Sequence, residues 1–452
     1  MTHLKKIVAL LLISGVCFSS VQAKPNIVFI LADDMGYADL SSYGAPDVKT
    51  QNIDRLAAEG VRFTNFYANG PECSPSRTAF LTGRYPQRVG GLECAIGTGN
   101  VGRYDDAIRL AGKSDLGLPV DLAVLAPTLK KAGYRNAIFG KWHMGYESKF
   151  NPLDQGFDEF VGFLGGNVDY FHHVELSDLP VYYSGRKAIK REGFTTHLIT
   201  DDAIDFLNRQ KAKTDEPFFL YVPHAAPHFP FQAPDGPTQL PSKEQWTLGS
   251  RATYVKMLVD LDEQVGRLLK ALEDNQQAEN TLVVFASDHG AMKPGLNTPW
   301  RDYKGTLFEG GIRVPCIARW PGEIKAGQVS NQVATIMGLT RSFMSLAEGK
   351  LAPAMESDGI DIIDHVRQGK KDEMRTLFWR SRRGDRTWWA VRDGDLKYVK
   401  KTEAGKSEEW LFDLAEDGGE KENLLDRATG KAAAAVLRRK LIKWEVKVKP
   451  VR

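Results

Sequence analysis

Four short stretches of this chain are apolar on both faces, apart from Asn136 and Thr281 at the start of two of them, and end abruptly in polar or ionisable residues: residues 27–31, 136–139, 218–222 and 281–286. A strand with one wet face alternates apolar and polar side chains. Runs without that alternation predict strands covered on both faces, the centre of a largely parallel sheet. Helical spacing falls between them. Residues 50–60 put Ile53, Leu56 and Ala57 on one side ahead of Gly60, residues 126–132 and 200–207 read as further helices, and residues 253–272 carry Val255, Leu258, Leu261, Val265 and Leu268 on a long amphipathic one. Beyond about residue 346 the pattern changes to helical blocks and Gly-bounded turns around short strands at 388–391, 397–399 and 410–414, with a terminal helix near 432–446. The expectation is an α/β chain with a large, mostly parallel central sheet flanked by helices over residues 24–345. A smaller C-terminal α+β subdomain with an antiparallel sheet occupies residues 346–452.

Parallel sheets gather ligands beyond the carboxyl ends of their strands, and each of the four runs delivers chemistry there. The first ends in Asp33 and Asp34. Adjacent carboxylates repel, so they are stable in water or around a cation: a surface turn or a metal site. The second ends in Gly140-Lys141-Trp142-His143. On an extended segment Lys141 and His143 point the same way, a pair suited to an anion that exchanges a proton, although a loop histidine is the plainer reading. The third leads into Pro223-His224-Ala225-Ala226-Pro227-His228-Phe229-Pro230, where prolines stiffen the placement of an imidazole. The fourth delivers Asp288 and His289, mirroring the first, and Lys304 comes next, ahead of Gly310-Gly311.

A fifth stretch, Cys73-Ser74-Pro75-Ser76-Arg77, continued by Thr78-Ala79-Phe80-Leu81-Thr82-Gly83, reads as a short helix with Ser74 as N-cap, Pro75 in the first turn and Gly83 as stop. Cys73 then lies at the positive end of the helix, where an anion is attracted, and Arg77 adds a charge one turn on. Taken alone, a single Cys there is also a buried thiol.

Composition narrows the partners. The 452 residues are 42% hydrophobic and 26% charged, which excludes a disordered chain, and 60 Lys+Arg against 57 Asp+Glu leave +3, which points to no nucleic acid. The basic run at 380–386 (RSRRGDR) reads as solvated surface. Residues 90–119 are glycine-rich and poorly periodic, a long loop, and in or just before it Arg84, Arg88, Arg103 and Arg109 either meet a polyanion or face water. MTHLKK, the apolar residues 7–16 and Val21-Gln22-Ala23 read as a signal peptide over residues 1–23, hence export to a periplasm or beyond the cell. That apolar core is too short to span a bilayer and there is no second long run, so no stable membrane insertion is expected. Val16 before Cys17 makes a poor lipid-attachment box. Cleavage would leave Cys73, Cys94 and Cys316, and a Cys94–Cys316 disulfide and two buried thiols both stay open.

The Cys73-Ser74-Pro75-Ser76-Arg77 stretch with Leu81-Thr82-Gly83 resembles the signature of the formylglycine-dependent sulfatases, of the alkaline phosphatase-like superfold. The likeness extends over most of residues 25–325, through NIVFILADD at 26–34, Gly140-Lys141-Trp142-His143 and Arg319-Trp320-Pro321-Gly322. It implies that Cys73 is oxidised to formylglycine by a maturation enzyme, and that Asp33, Asp34, Asp288, His289 and residue 73 bind Ca2+. Arg77 would steady the aldehyde hydrate, and Lys141 and Lys304 would hold the sulfate oxygens. The hydrate attacks sulfur with Asp288 as activator, His228 protonates the leaving alcohol, and His143 takes the second hydroxyl's proton, expelling sulfate. The chain departs from the family pattern at His289, where Asn is frequent and where nitrogen leaves another divalent metal open, and at residues 333–347, which lack the usual Asp and Pro-Thr. The implied substrate is a sulfated polysaccharide or oligosaccharide, a carrageenan-like galactan or a glycosaminoglycan. Alternatives are a phosphodiester or phosphonate monoester hydrolase of the same superfold, and a sulfated-glycan binding protein without catalysis.

Overall fold

All four apolar runs are strands: β1 (Asn26–Ala32), β2 (Arg135–Lys141), β3 (Phe218–Pro223) and β4 (Thr281–Ser287). The computed structural model describes residues 24–97, 102–176, 181–213, 215–348 and 357–450, so the expected leader and Cys17 lie outside the described residues. The strands run parallel in the order β4-β1-β3-β2 at the centre of a ten-stranded sheet. Cys316–Arg319 pairs antiparallel with β4 on one side, and Glu159–Phe163 parallel with β2 on the other. Register aligns the strand ends. Ala32 lies opposite Ser287 and Leu31 opposite Pro223, so Asp33 and Asp288 leave the sheet at one level and His224 one residue before it.

Burial on both faces explains the missing alternation. Ile27, Phe29 and Leu31 face a core with Phe80, Phe219, Tyr221 and Phe343, whereas Val28 and Ile30 face the helices Thr195–Gln210 and Arg251–Asp274. Each such side chain, fully buried, contributes about 1.5–3 kcal/mol. The short helix α1 (Cys73–Thr82) is buried at all ten positions, packed against α2 (Ile336–Glu348), and stops at Gly83 with φ 64°. Its start differs from expectation. Glu72 is the N-cap and Cys73 the first helical residue, because the Ser74 hydroxyl is engaged elsewhere, donating to the His143 carbonyl at 3.0 Å and accepting from Ile96 N–H at 3.2 Å.

The described parts of the 90–119 stretch, residues 90–97 and 102–119, are not a loose loop. They contain a helix (Asp105–Ala111) and bury Leu92, Cys94, Ile96, Leu110, Leu116 and Leu118. Their irregular spacing reflects side chains that fill gaps in the main core. Arg88 and Arg109 are drawn into ion pairs with Asp358 and Asp106. Cys94 and Cys316 remain separate buried thiols.

The C-terminal sheet is an antiparallel meander of β5 (Thr376–Arg383), β6 (Arg386–Asp393), β7 (Leu396–Glu403) and β8 (Lys406–Asp413), followed by α3 (Ala428–Lys447). Strand β5 escapes a sequence reading because its arginines look solvated; instead Leu377, Trp379 and Ser381 alternate inward while the run docks by charge. Glu93, fully buried, receives Arg380 at 2.7 Å and Arg382 at 3.1 Å, and Arg383 reaches Glu72 at 2.8 Å. Beneath the sheet, Lys397 sits 2.8 Å from Glu309 and 2.9 Å from Glu420, all three without solvent contact. No described helix is long and apolar enough to cross a membrane.

Candidate active site

Level strand ends bring the predicted residues to one point. Around the Cys73 sulfur lie His289 Nε2 at 3.2 Å, Lys141 Nζ at 3.3 Å, Asp33 Oδ1 at 3.4 Å and Lys304 Nζ at 3.9 Å. Asp34, at φ 63°, turns back so that its N–H meets Asp288 Oδ1 at 3.3 Å and its carboxylate receives Lys304 at 2.7 and 2.8 Å. Lys141 bonds Asp33. Arg77, fully buried, clasps Asp288 Oδ2 through Nε and Nη2 and gives Nη1 to the Lys141 carbonyl at 3.0 Å.

So many buried charges shift one another. Two unit charges 4 Å apart interact by about 4 kcal/mol at an effective dielectric of 20. Burial pushes the Cys73 thiol up, but Lys141, Lys304 and His289 outweigh it and hold the thiol well below its ordinary range. Asp288 moves the other way, to about 7, through burial with Asp33 and Cys73 adding repulsion. Burial disfavours charge on His289, yet Asp288, Cys73 and Asp34 raise it to about 10.

The donor set fits a divalent cation. Asp33, Asp288, Cys73 and His289 each offer an atom within 4.8 Å of the others, as do Asp33, Asp34, Cys73 and His228. The His289 Nδ1–H donates to the Gly290 carbonyl at 3.0 Å, which aims Nε2 at Asp34, Asp288 and residue 73, the atom that would face a cation once its proton is displaced. Such a bond to the far nitrogen is how proteins orient an imidazole ligand. Carboxylates dominate the set, as for a hard cation.

Both remaining histidines reach the site, though not as alternation on a strand would place them. Strand β2 ends at Lys141, and His143 has φ 59°, so a turn rather than an extended segment brings its ring toward Cys73. Its Nε2–H donates to the Ile96 carbonyl at 2.8 Å, and burial lowers its proton affinity, keeping it neutral. His228 donates Nδ1–H to the Phe229 carbonyl at 2.8 Å and presents Nε2 to Lys304 at 3.1 Å. His224 stays outside this convergence, buried and pushed down to about 3 by burial. Sequence reasoning missed Ser74, Glu72 and the Ile96 carbonyl as supports. Ser74 and Glu72 flank Cys73 and could have been found there; a backbone carbonyl carries no sequence signal.

A buried helix start ringed by acids that could hold a cation and by lysines and an arginine that could meet an anion has the charges a hydrolase of anionic esters needs. Residues 25–350 match the sulfatase family model, and residues 298–447 match the model of the N-sulphoglucosamine sulphohydrolase C-terminal region. The chain is 36% identical to N-acetylgalactosamine-6-sulfatase of Sus scrofa over 384 residues, 81% of this chain and 70% of the relative. It is 30% identical to arylsulfatase A of Homo sapiens over 466 residues, 91% and 85% of the two chains. The crystal structure of Ps i-CgsB in complex with k-i-k-neocarrahexaose superposes with a TM-score of 0.79 at 30% identity, covering 93% of this chain and 92% of that one. This chain belongs to the sulfatase family. Its fold is alkaline phosphatase-like and it is a sulfuric ester hydrolase.

Proposed function

We propose that the chain removes sulfate from a sulfated polysaccharide or oligosaccharide, with formylglycine at position 73 and a bound divalent cation, Ca2+ by its oxygen-rich ligands. The observation that carries the reading is the convergence of four ionisable side chains within 3.9 Å of the Cys73 sulfur at the start of a buried helix. Formylglycine would supply the attacking hydrate oxygen, and the cation would offset charge at sulfur and the nucleophile. Asp33, Asp34, Asp288, His289 and residue 73 would hold the cation.

Arg77 anchors Asp288 and lies 3.6 Å from Asp33, and is assigned to steady the aldehyde hydrate. Lys141 and Lys304, which bond Asp33 and Asp34 here, have ammonium groups on the side of residue 73, where sulfate oxygens would sit. Asp288, whose Oδ1 lies in the cluster around residue 73, is assigned as the proton acceptor for the attacking hydroxyl. His228 presents only Nε2 to the site, so a proton held there passes to the leaving alcohol. Neutral His143 has Nδ1 free on the side of residue 73 to accept the proton whose loss releases sulfate.

A carbohydrate substrate is favoured by two likenesses: a relative named for a sulfated amino sugar and a structure holding neocarrahexaose. A carrageenan-like galactan and a glycosaminoglycan both fit. The reading includes export, a formylglycine-generating partner and residues 24–345 as the catalytic domain beside a 346–452 subdomain. Protein matured with a formylglycine-generating enzyme is expected to release sulfate from one or a few members of a panel of defined sulfated oligosaccharides, and Cys73→Ala to release none. Turnover of matched phosphate esters in place of sulfates would overturn the reading.

A further inference from the structure

His143 can accept a proton at Nδ1 only while its other nitrogen keeps the hydrogen, and the structure shows what enforces that. Nε2 lies 2.8 Å from the Ile96 carbonyl, which can only accept, so Nε2 carries the proton and Nδ1 is the bare nitrogen. Nδ1 is buried, has no full hydrogen bond and lies on the side of Cys73. Gly166 closes the opposite edge: a Cβ there would come within 2.5 Å of Nε2. The tautomer therefore depends on where Ile96 stands.

Two side chains flanking Cys73 hold that segment. Ser74 Oγ takes the Ile96 N–H at 3.2 Å and gives its own hydrogen to the His143 carbonyl at 3.0 Å, tying both ends of the Ile96–His143 contact to the first turn of α1. Glu72 Oε2 takes the Ala95 N–H at 2.8 Å and is held in turn by Arg383 of β5 at 2.8 Å. Glu72 is 2% exposed, so it is a committed buried acceptor rather than a surface acid. Arg380 and Arg382 on the same strand fasten Glu93 just upstream.

We propose that Glu72, secured by Arg383 of the C-terminal sheet, is a positioning residue that keeps His143 in its Nε2–H tautomer by pinning the Ala95–Ile96 backbone. The catalytic part rests on the reading of His143 as a base; the tautomer part does not. The test labels the full chain, with unmodified Cys73, with 15N-histidine and reads the two imidazole nitrogens of His143, assigned by their loss in His143→Gln. Wild type and Glu72→Gln, which retains an acceptor oxygen for Ala95, are expected to show one Nε2–H tautomer. Glu72→Ala is expected to mix the two. In matured enzyme Glu72→Ala should lose about 10- to 100-fold in kcat, part of the ~10²–10⁴ that acid–base catalysis supplies, with KM changed less than about threefold. Should Glu72→Ala fail to fold, Arg383→Ala against Arg383→Lys takes its place, with partial mixing expected only in the former. An unmixed Nε2–H signal in the alanine variants, or Glu72→Gln as impaired as Glu72→Ala, overturns the proposal. A mixed tautomer with full kcat keeps the positioning and refutes His143 as the base, so the two failures are told apart.

Discussion

Two of the charge clusters buried among the described residues solve the same problem differently. Beneath the C-terminal sheet, Lys397 sits between Glu309 and Glu420, while Tyr67 and Arg313 bond the other oxygen of Glu309 and the Glu309 N–H bonds Glu420. Charge is matched by charge and by backbone. At the strand ends, Asp33, Asp34, Asp288, His289 and Cys73 crowd one point, and the two lysines that neutralise them are suited to hold an anion. The first cluster resolves itself by dividing labour: burial opposes charge on both glutamates, but Lys397, Arg313 and Arg392 hold Glu309 down at about 2, while burial with Glu309 beside it lifts Glu420 to about 7. The second leaves its acids and thiol crowded at one point. A buried charge is thus a sign of function where several acids and a thiol converge on one point, not where it is merely buried.

That contrast can be broken experimentally, beginning with the largest effect. Asp34→Asn is expected to cost at least about 10³-fold in sulfate release, about 4 kcal/mol, while unfolding free energy without added cation changes by less than about 2 kcal/mol. Chemical denaturation beside a turnover assay measures both. Glu309→Gln should do the reverse. Leaving Lys397 and Arg313 without their shared carboxylate costs about 3–5 kcal/mol of stability, whereas kcat of the folded fraction stays within about twofold. Saturation with Ca2+ at about 100 Kd is expected to add about 2.7 kcal/mol to wild type and to Glu309→Gln and nothing to Asp34→Asn, read as shifts in thermal midpoint. The smallest effect is on acid unfolding. Glu309 titrates lower folded than unfolded, so its contribution is complete above the unfolded value and is lost as pH falls toward about 2. Wild type should therefore lose about 2 kcal/mol more than Glu309→Gln between pH 5 and pH 2.

Much of the site was legible because it is written in side chains that come directly after buried strands. Once residues 27–31 and 281–286 are read as central strands, the level of Asp33 and Asp288 is set by register, and the Cys73 stretch supplies the third corner. The turn at His143 was not legible, since a φ of 59° in a non-glycine residue is imposed by surroundings distant in sequence. Strand β5 was hidden for a related reason: Arg380, Arg382 and Arg383 resemble solvent-facing residues until Glu93 and Glu72, nearly three hundred residues earlier, are seen beneath them. Local pattern reports which face of an element is apolar. It cannot report which acid waits across the fold.

Residue 73 is 1% exposed, the first residue of a helix sealed by α2 on one side and by the Ala95–Ile96 segment on the other. If residue 73 is oxidised as proposed, the enzyme that does so has to reach a side chain that this packing encloses. Modification and folding would then compete for the same stretch of nascent chain. A molecule that folded first would be stable, correctly shaped and permanently inactive, so the yield of working enzyme would be set by the order of two events rather than by the stability of either product.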